Sequence, residues 1–148
     1  MDADLSTPPN EMLRLLDIIE SKNAGVVLGS RIRLLGHDIE RSAVRHYLGR
    51  VFATCASMTL DRPIYDTQCG AKLFRSTPAL SEALARPFVS RWAFDVELLN
   101  RLMAEGENNI VEVPLNTWKH VSGSKLKPIA MVKATIDLAR IAWEKRRK

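Results

Sequence analysis

An α/β fold is what this sequence predicts, on three observations. Stripes of apolar residues at helical spacing alternate with short apolar runs of strand length. The first such run, Ala24 to Gly29, leads into Ser30-Arg31, which puts a tight turn and a cation at the carboxyl edge of a sheet, where α/β proteins bind ligands. With 148 residues, 46% hydrophobic and 26% charged, the chain suits one globular domain, residues 1–148, with a usable core.

Met1 to Pro9 sets Asp2 and Asp4 one residue apart, directly before a helix start. A D-x-D pair suits Mg²⁺ or Mn²⁺, hard cations that take oxygen ligands from one or two carboxylates and from substrate phosphates. The same residues also suit a simple cap: Asp4, Ser6 or Thr7 before a helix that Pro8 opens. From Pro8 to Glu20, Met12, Leu15, Leu16 and Ile19 form a helical stripe, and Asn23 to Gly25 ends it. Ala24 to Gly29 follows as a buried strand. Arg31 beyond it is either a ligand-facing cation or a solvated one.

Glu40 to about Thr59 is helical again, with Val44, Leu48, Val51, Phe52 and Cys55 to one side. Arg41 and Arg45 lie four apart and share a face, so their guanidinium groups need an anion, an acidic neighbour or solvent between them. Phosphate fits because Arg meets it bidentately. Tyr65 to Arg75 reads as a polar loop entering a strand around Gly70, and Pro78 to Ala85 as a short helix. Asp95 then stands near the N-terminus of a helix whose buried stripe is Val96, Leu99, Leu102 and Met103. A carboxylate is favoured there by the dipole alone. Ile110 to Pro114 alternates as a strand that Pro ends. The last helix, about Ile129 to Arg147, carries Val132, Ile136, Ala139 and Trp143 on one face and bases on another.

Composition narrows the partners. Lys and Arg number 22 against 17 Asp and Glu, a net charge of +5, with bases concentrated between Arg31 and Arg50 and after Lys125. That balance favours phosphates, anionic lipid heads or nucleic acid. No zinc-finger spacing or aromatic-plus-glycine RNA signature supports the last, so no nucleic acid is expected. Apolar runs are too short to span a bilayer, which takes about 18 residues or more, so any membrane contact is expected to be peripheral. The basic side of the last helix suits an anionic surface, at roughly 1 kcal/mol per well-placed Lys or Arg. Met1 is followed by neither a basic nor an apolar leader region, and Cys55 and Cys69 make no disulfide framework; a cytoplasmic setting is the expectation.

D-A-D-L-S-T-P-P, G-S-R, R-S-x-x-R, D-T-Q-C-G-A-K-L-F, R-W-A-F-D-V-E-L-L, E-V-P-L-x-x-W and G-S-K-L occur in an order that resembles the family 2 glycosyltransferases acting on polyprenyl phosphates. The resemblance covers essentially the whole chain. It implies a GT-A fold, a Rossmann-like α/β sandwich for nucleotide-diphospho-sugar transfer. It implies inverting, metal-dependent transfer of a hexose from a nucleotide sugar, UDP-glucose or GDP-mannose with the resemblance leaning to glucose, onto a polyprenyl or dolichyl phosphate at the cytoplasmic face of a membrane.

Residue by residue, Asp2 and Asp4 match the metal motif for Mg²⁺ or Mn²⁺. Ser6 stands where related mannosyltransferases carry a Gln ligand. Arg31, Arg41 and Arg45 fall where the family gathers the acceptor phosphate. Asp66 and Gln68 fall in the sugar-pocket segment, Asp95 and Glu97 on the acidic acceptor side, and Lys125 in a basic loop. Asp66, Asp95 and Glu97 are thus the catalytic candidates, and Arg31, Arg41, Arg45, Gln68 and Lys125 the substrate-binding ones.

A fold of that kind builds its uridine site ahead of D-x-D, where only Met1 stands here. The expectation is a partial fold lacking its N-terminal nucleotide-binding half, on the order of 100 residues, inactive alone and open to a missing half or to self-association. A non-catalytic remnant keeping a lipid-surface contact is the alternative.

Overall fold

The computed structural model of the chain describes residues 6–40, 43–119 and 128–146. Ten elements follow one another: α1 (Pro9–Ser21), β1 (Val26–Ser30), β2 (Asp38–Ile39), α2 (Ala43–Leu60), β3 (Lys72–Phe74), α3 (Pro78–Leu84), α4 (Phe94–Ala104), β4 (Ile110–Pro114), β5 (Thr117–Trp118) and α5 (Pro128–Arg146).

The organising element is β1, whose five residues are all buried. It lies between β3 and β4, antiparallel to β3 with Leu28 opposite Lys72, and parallel to β4 with Val26 opposite Ile110 and Ser30 opposite Pro114. Because strand side chains alternate, β1 feeds two cores. Val26 and Leu28 join Leu60, Val96, Leu99, Leu102 and Leu138 under α2, α4 and α5. Val27 joins Leu15, Ile19, Cys69 and Leu115 under α1. Each such aliphatic side chain contributes about 1.5–3 kcal/mol when fully buried. A run apolar at every position is what a strand covered on both faces requires. The chain is thus mixed α/β with a small sheet. β2 and β5 form a separate parallel pair, Asp38 opposite Thr117 and Ile39 opposite Trp118. Two residues per strand are too few for an alternation to show in the sequence.

Local chemistry accounts for the boundaries. Asn23, at φ 46°, gives α1 the left-handed residue that commonly follows a helix end. Thr77 caps α3, its hydroxyl accepting from Leu80 N–H at 3.2 Å, with Pro78 at the first helical position.

Three helix faces differ from the periodic expectation. In α1 the buried residues are Glu11, Leu15 and Ile19, while Leu16 is exposed. Glu11 takes an inward place because its carboxylate accepts from Arg14 and from Asn116 N–H, which ties α1 to the end of β4. In α2, Ala53, Ala56 and Leu60 are buried and Val51 is exposed. In α5 the buried stripe is Ala134, Leu138 and Ile141; Ile136, Ala139 and Trp143 face outward. Helical spacing alone left the choice between adjacent stripes open, and in α2 and α5 the packed helices place alanine at the contact.

Gly29 marks the tightest approach in the sheet. A Cβ there would lie 2.8 Å from Leu115 Cδ2 and 3.0 Å from both Ala71 Cβ and Ala71 O. The Gly29→Ala variant is therefore predicted to lose about 1–3 kcal/mol in a urea melt, the range for overpacking. Unchanged stability would show that Leu115 and Ala71 yield to the added methyl group.

Candidate functional site at the carboxyl end of the central strand

Where β1 ends, Arg31 turns back on Asp66. Its Nε donates to Oδ2 at 2.7 Å, its Nη2 to Oδ1 at 2.8 Å, and its backbone N–H to Oδ2 at 3.2 Å. Both side chains are mostly buried, and the guanidinium lies 5.2 Å from the centre of the Trp118 ring. A planar fork matched to both carboxylate oxygens is the strong form of this pair.

Gln68 links this pair to a second one. Its N–H donates to Asp66 Oδ1 at 3.3 Å, and its Nε2 donates to Asp95 Oδ2, also at 3.3 Å. Asp95 in turn accepts from Lys72 Nζ at 2.7 Å, with both partners about a tenth exposed. The relay Arg31, Asp66, Gln68, Asp95, Lys72 therefore joins β1, the loop after Tyr65, β3 and the first turn of α4. Asp95 does not cap α4, whose N-cap is Ala93 without a side-chain hydrogen bond. Its place in the first turn still agrees with the helix dipole.

Glu112, which the sequence reading passed over, holds the loop from below. Its two oxygens accept from Tyr65 N–H at 2.8 Å and Asp66 N–H at 2.7 Å. Burial pushes its carboxyl above the ordinary 4.5, against the pull of those two N–H groups; the Asp66 charge adds to the rise and Arg50 opposes it. Arg50 also stacks 3.8 Å from the Tyr65 ring centre. A carboxylate in the middle of the apolar run I-V-E-V-P was the available signal, since a charge there needs a specific partner. Lys72 and Trp118 were likewise inside quoted motifs, but only the fold shows what they touch.

Glu97 does not join the relay. Its carboxylate accepts from Val89 N–H at 3.0 Å, Ser90 N–H at 3.1 Å and Arg101 Nη2 at 2.6 Å. It clamps the loop before α4 and lines a groove of about 560 Å³ between the ends of α2, α4 and α5, which none of Arg31, Asp66, Gln68 and Asp95 lines. Backbone donors and Arg101 occupy its oxygens, so in this structure Glu97 braces the loop. Cys69 is fully buried and its thiol is pushed up to about 11, chiefly by burial, so it is protonated and inert at neutral pH.

Asp2, Asp4, Arg41 and Lys125 lie outside the described residues, and Arg45 is placed only as part of α2. Among the described residues no three His, Cys, Asp or Glu side chains gather to hold a metal ion. Asp66 and Asp95 are engaged by cations and Glu97 by N–H donors, so these carboxylates do not fit a divalent cation. Three buried hydroxyls, of Thr7, Ser30 and Thr67, find no partner among the described residues.

The chain is 36% identical over 97% of its length to a dolichyl-phosphate β-glucosyltransferase of Dictyostelium discoideum, covering 45% of that protein. It is 31% identical over 93% of its length to one from Saccharomyces cerevisiae, covering 44%, and 36% identical over 84% to one from Homo sapiens, covering 34%. The chain thus spans less than half the length of these relatives. No family model and no solved structure matches it.

Two stability measurements check the site. Removing one partner of a buried ion pair costs about 3–5 kcal/mol, whereas replacing both by apolar residues is often close to neutral. Asp66→Ala is accordingly expected to destabilise by that much in urea, and Arg31→Met with Asp66→Leu by clearly less; equal losses would mean that the pair is not a closed unit. For Glu112, a folded pKa above the unfolded 4.5 gives a contribution that is fully present below pH 4.5 and lost as pH rises through the raised value. Wild type should therefore lose stability relative to Glu112→Gln between acid and neutral pH. A pH-independent difference would remove burial as the cause.

Proposed function

We propose, from its similarity to dolichyl-phosphate β-glucosyltransferases, that the chain is part of a glycosyltransferase passing glucose from UDP-glucose to a polyprenyl phosphate. GDP-mannose is the alternative donor. The mixed α/β architecture is compatible with part of a GT-A fold, and the length of the relatives supports a role for further chain in reading the nucleotide.

The observation that carries the proposal is Arg31 at the carboxyl end of the central strand, braced on one side by Asp66 and underlaid by Trp118. In the proposed reaction an oxygen of the acceptor phosphate attacks the anomeric carbon with inversion and the nucleoside diphosphate leaves. A phosphate monoester has its second pKa near 6 and is largely ionised at pH 7, so the step needs no strong base. That agrees with Asp66 and Asp95 being tied to cations: they set Arg31, Gln68 and Lys72 in place rather than withdrawing a proton. The site's task is to hold two anions together, which makes positioning and fixed charge the main contributions.

Arg31, Arg41, Arg45 and Lys125 are proposed for the acceptor phosphate, and Asp2 and Asp4 for Mg²⁺ or Mn²⁺. The cation would offset the charge of the leaving diphosphate. Contact with the cytoplasmic face of a membrane is proposed as peripheral; among the described residues no helix is long and apolar enough to cross one.

Calorimetry with a short polyprenyl phosphate and the matching polyprenol tests the acceptor assignment. The phosphate should bind and the alcohol should not, and Arg31→Gln should weaken binding about tenfold or more, as expected for a charge-assisted contact. Equal binding of phosphate and alcohol would overturn it. Transfer from UDP-glucose with Mn²⁺ by this chain alone would overturn its proposed dependence on further chain.

A further inference from the structure

The loop from Pro87 to Ala93 and the first residue of α4 expose apolar side chains, while side-chain hydrogen bonds hold the loop backbone. Val89 is 56%, Trp92 41% and Phe94 43% exposed, and Arg86 and Arg91 beside them are exposed too. The loop is nevertheless fastened from three directions. Glu97 accepts from Val89 and Ser90 N–H, Arg101 donates to the carbonyls of Arg86 and Pro87, and the Arg101 guanidinium covers the Phe88 ring at 4.6 Å. Ser90, itself buried, accepts from Ala93 N–H at 2.7 Å and donates to Asp137 on α5 at 2.7 Å.

A loop that exposed these groups through slackness would not be fixed by so many buried bonds. The Ser90–Asp137 bond also sets it against α5 beside Ile136, which is half exposed, and Arg140, which lies 3.9 Å from Asp137. Loop and helix therefore present one surface: aromatic and aliphatic groups with arginines around them.

We propose that this surface, Val89 and Trp92 on the loop and Phe94 at the start of α4 with Ile136 on α5, ringed by Arg86, Arg91 and Arg140, docks on an anionic lipid bilayer. Charge complementarity selects the occupant. Amphipathic aromatic rings settle at the headgroup level, and arginines around them pair with lipid phosphates. The loop also leads straight into Asp95, one end of the site relay, so docking here would hold that relay close to a lipid-borne phosphate. This rests on the acceptor reading above, and it moves the membrane contact from the basic side of α5 to a rigid aromatic loop.

Flotation with vesicles of phosphatidylcholine and phosphatidylserine, without polyprenyl phosphate, tests the surface separately from the acceptor site. Wild type should float with them, Val89→Ser with Trp92→Ser should bind about tenfold or more weakly with an unchanged melting temperature, and Arg86→Glu with Arg91→Glu should lose the preference for anionic over neutral vesicles. Brominated lipid should quench tryptophan fluorescence in wild type and much less in Trp92→Phe, a substitution that keeps the loop's bulk. Failure of wild type to float, or equal flotation of all variants, overturns the proposal. So does self-association in solution that Val89→Ser with Trp92→Ser abolishes, since the surface would then join two copies. None of these results alters the polyprenyl phosphate titration, whose own failure would leave vesicle binding intact.

Discussion

A guanidinium fork closed on a carboxylate at the end of the central strand is the interaction on which the rest of the structure turns. Arg31 leaves β1 at the point where its apolar run stops, and a charge so little exposed persists only with a partner of matching geometry. Asp66 supplies that geometry, but a loop carboxylate has to be held still. The backbone around it is held by Glu112, which rises from β4 directly beside β1. Strand pairing, loop position and side-chain pairing are thus one cooperative arrangement, and a shift in any of the three exposes a charge to an apolar surrounding.

Four acidic residues show how partners assign roles. Asp66 and Asp95 meet cations, Arg31 and Lys72, and are connected through Gln68. Glu112 accepts from the backbone N–H groups of Tyr65 and Asp66, and Glu97 meets backbone N–H groups together with Arg101. The first two arrange charged groups at the carboxyl end of the sheet. The other two fix loops: Glu112 the one carrying Asp66, Glu97 the one leading to Asp95. Buried carboxylates that neutralise backbone donors stabilise conformation, and their effect on the site is indirect.

The fold's general outline was legible because its signals are periodic. An apolar run of strand length gave β1, the alternation through Val111 and Val113 gave β4, and Pro8 and Pro78 gave the starts of α1 and α3 to within a residue, although no side chain caps α1. Helix faces were less legible. In α5 helical spacing suggested Val132, Ile136, Ala139 and Trp143 as one face, yet Ala134, Leu138 and Ile141 are the ones buried. Periodicity identifies a stripe, and where two stripes compete, the neighbouring helix decides between them through the distance it allows. Reading apolar spacing alone likewise hid Glu11, a charged residue buried in α1 with Arg14 and Asn116 N–H as its donors.

By itself the sequence determined the α/β class, the order of the main elements, and the kinship written in D-T-Q-C-G-A-K-L-F and R-W-A-F-D-V-E-L-L. Those are properties of local pattern, and local pattern is carried by neighbouring residues. Tertiary structure alone decided that Lys72, Glu112 and Trp118 belong with Arg31 and Asp66, that Glu97 does not, and that an aromatic loop stands clamped at the surface. Such outcomes depend on contacts between residues tens of positions apart, where a hydrogen bond forms or fails over less than an ångström.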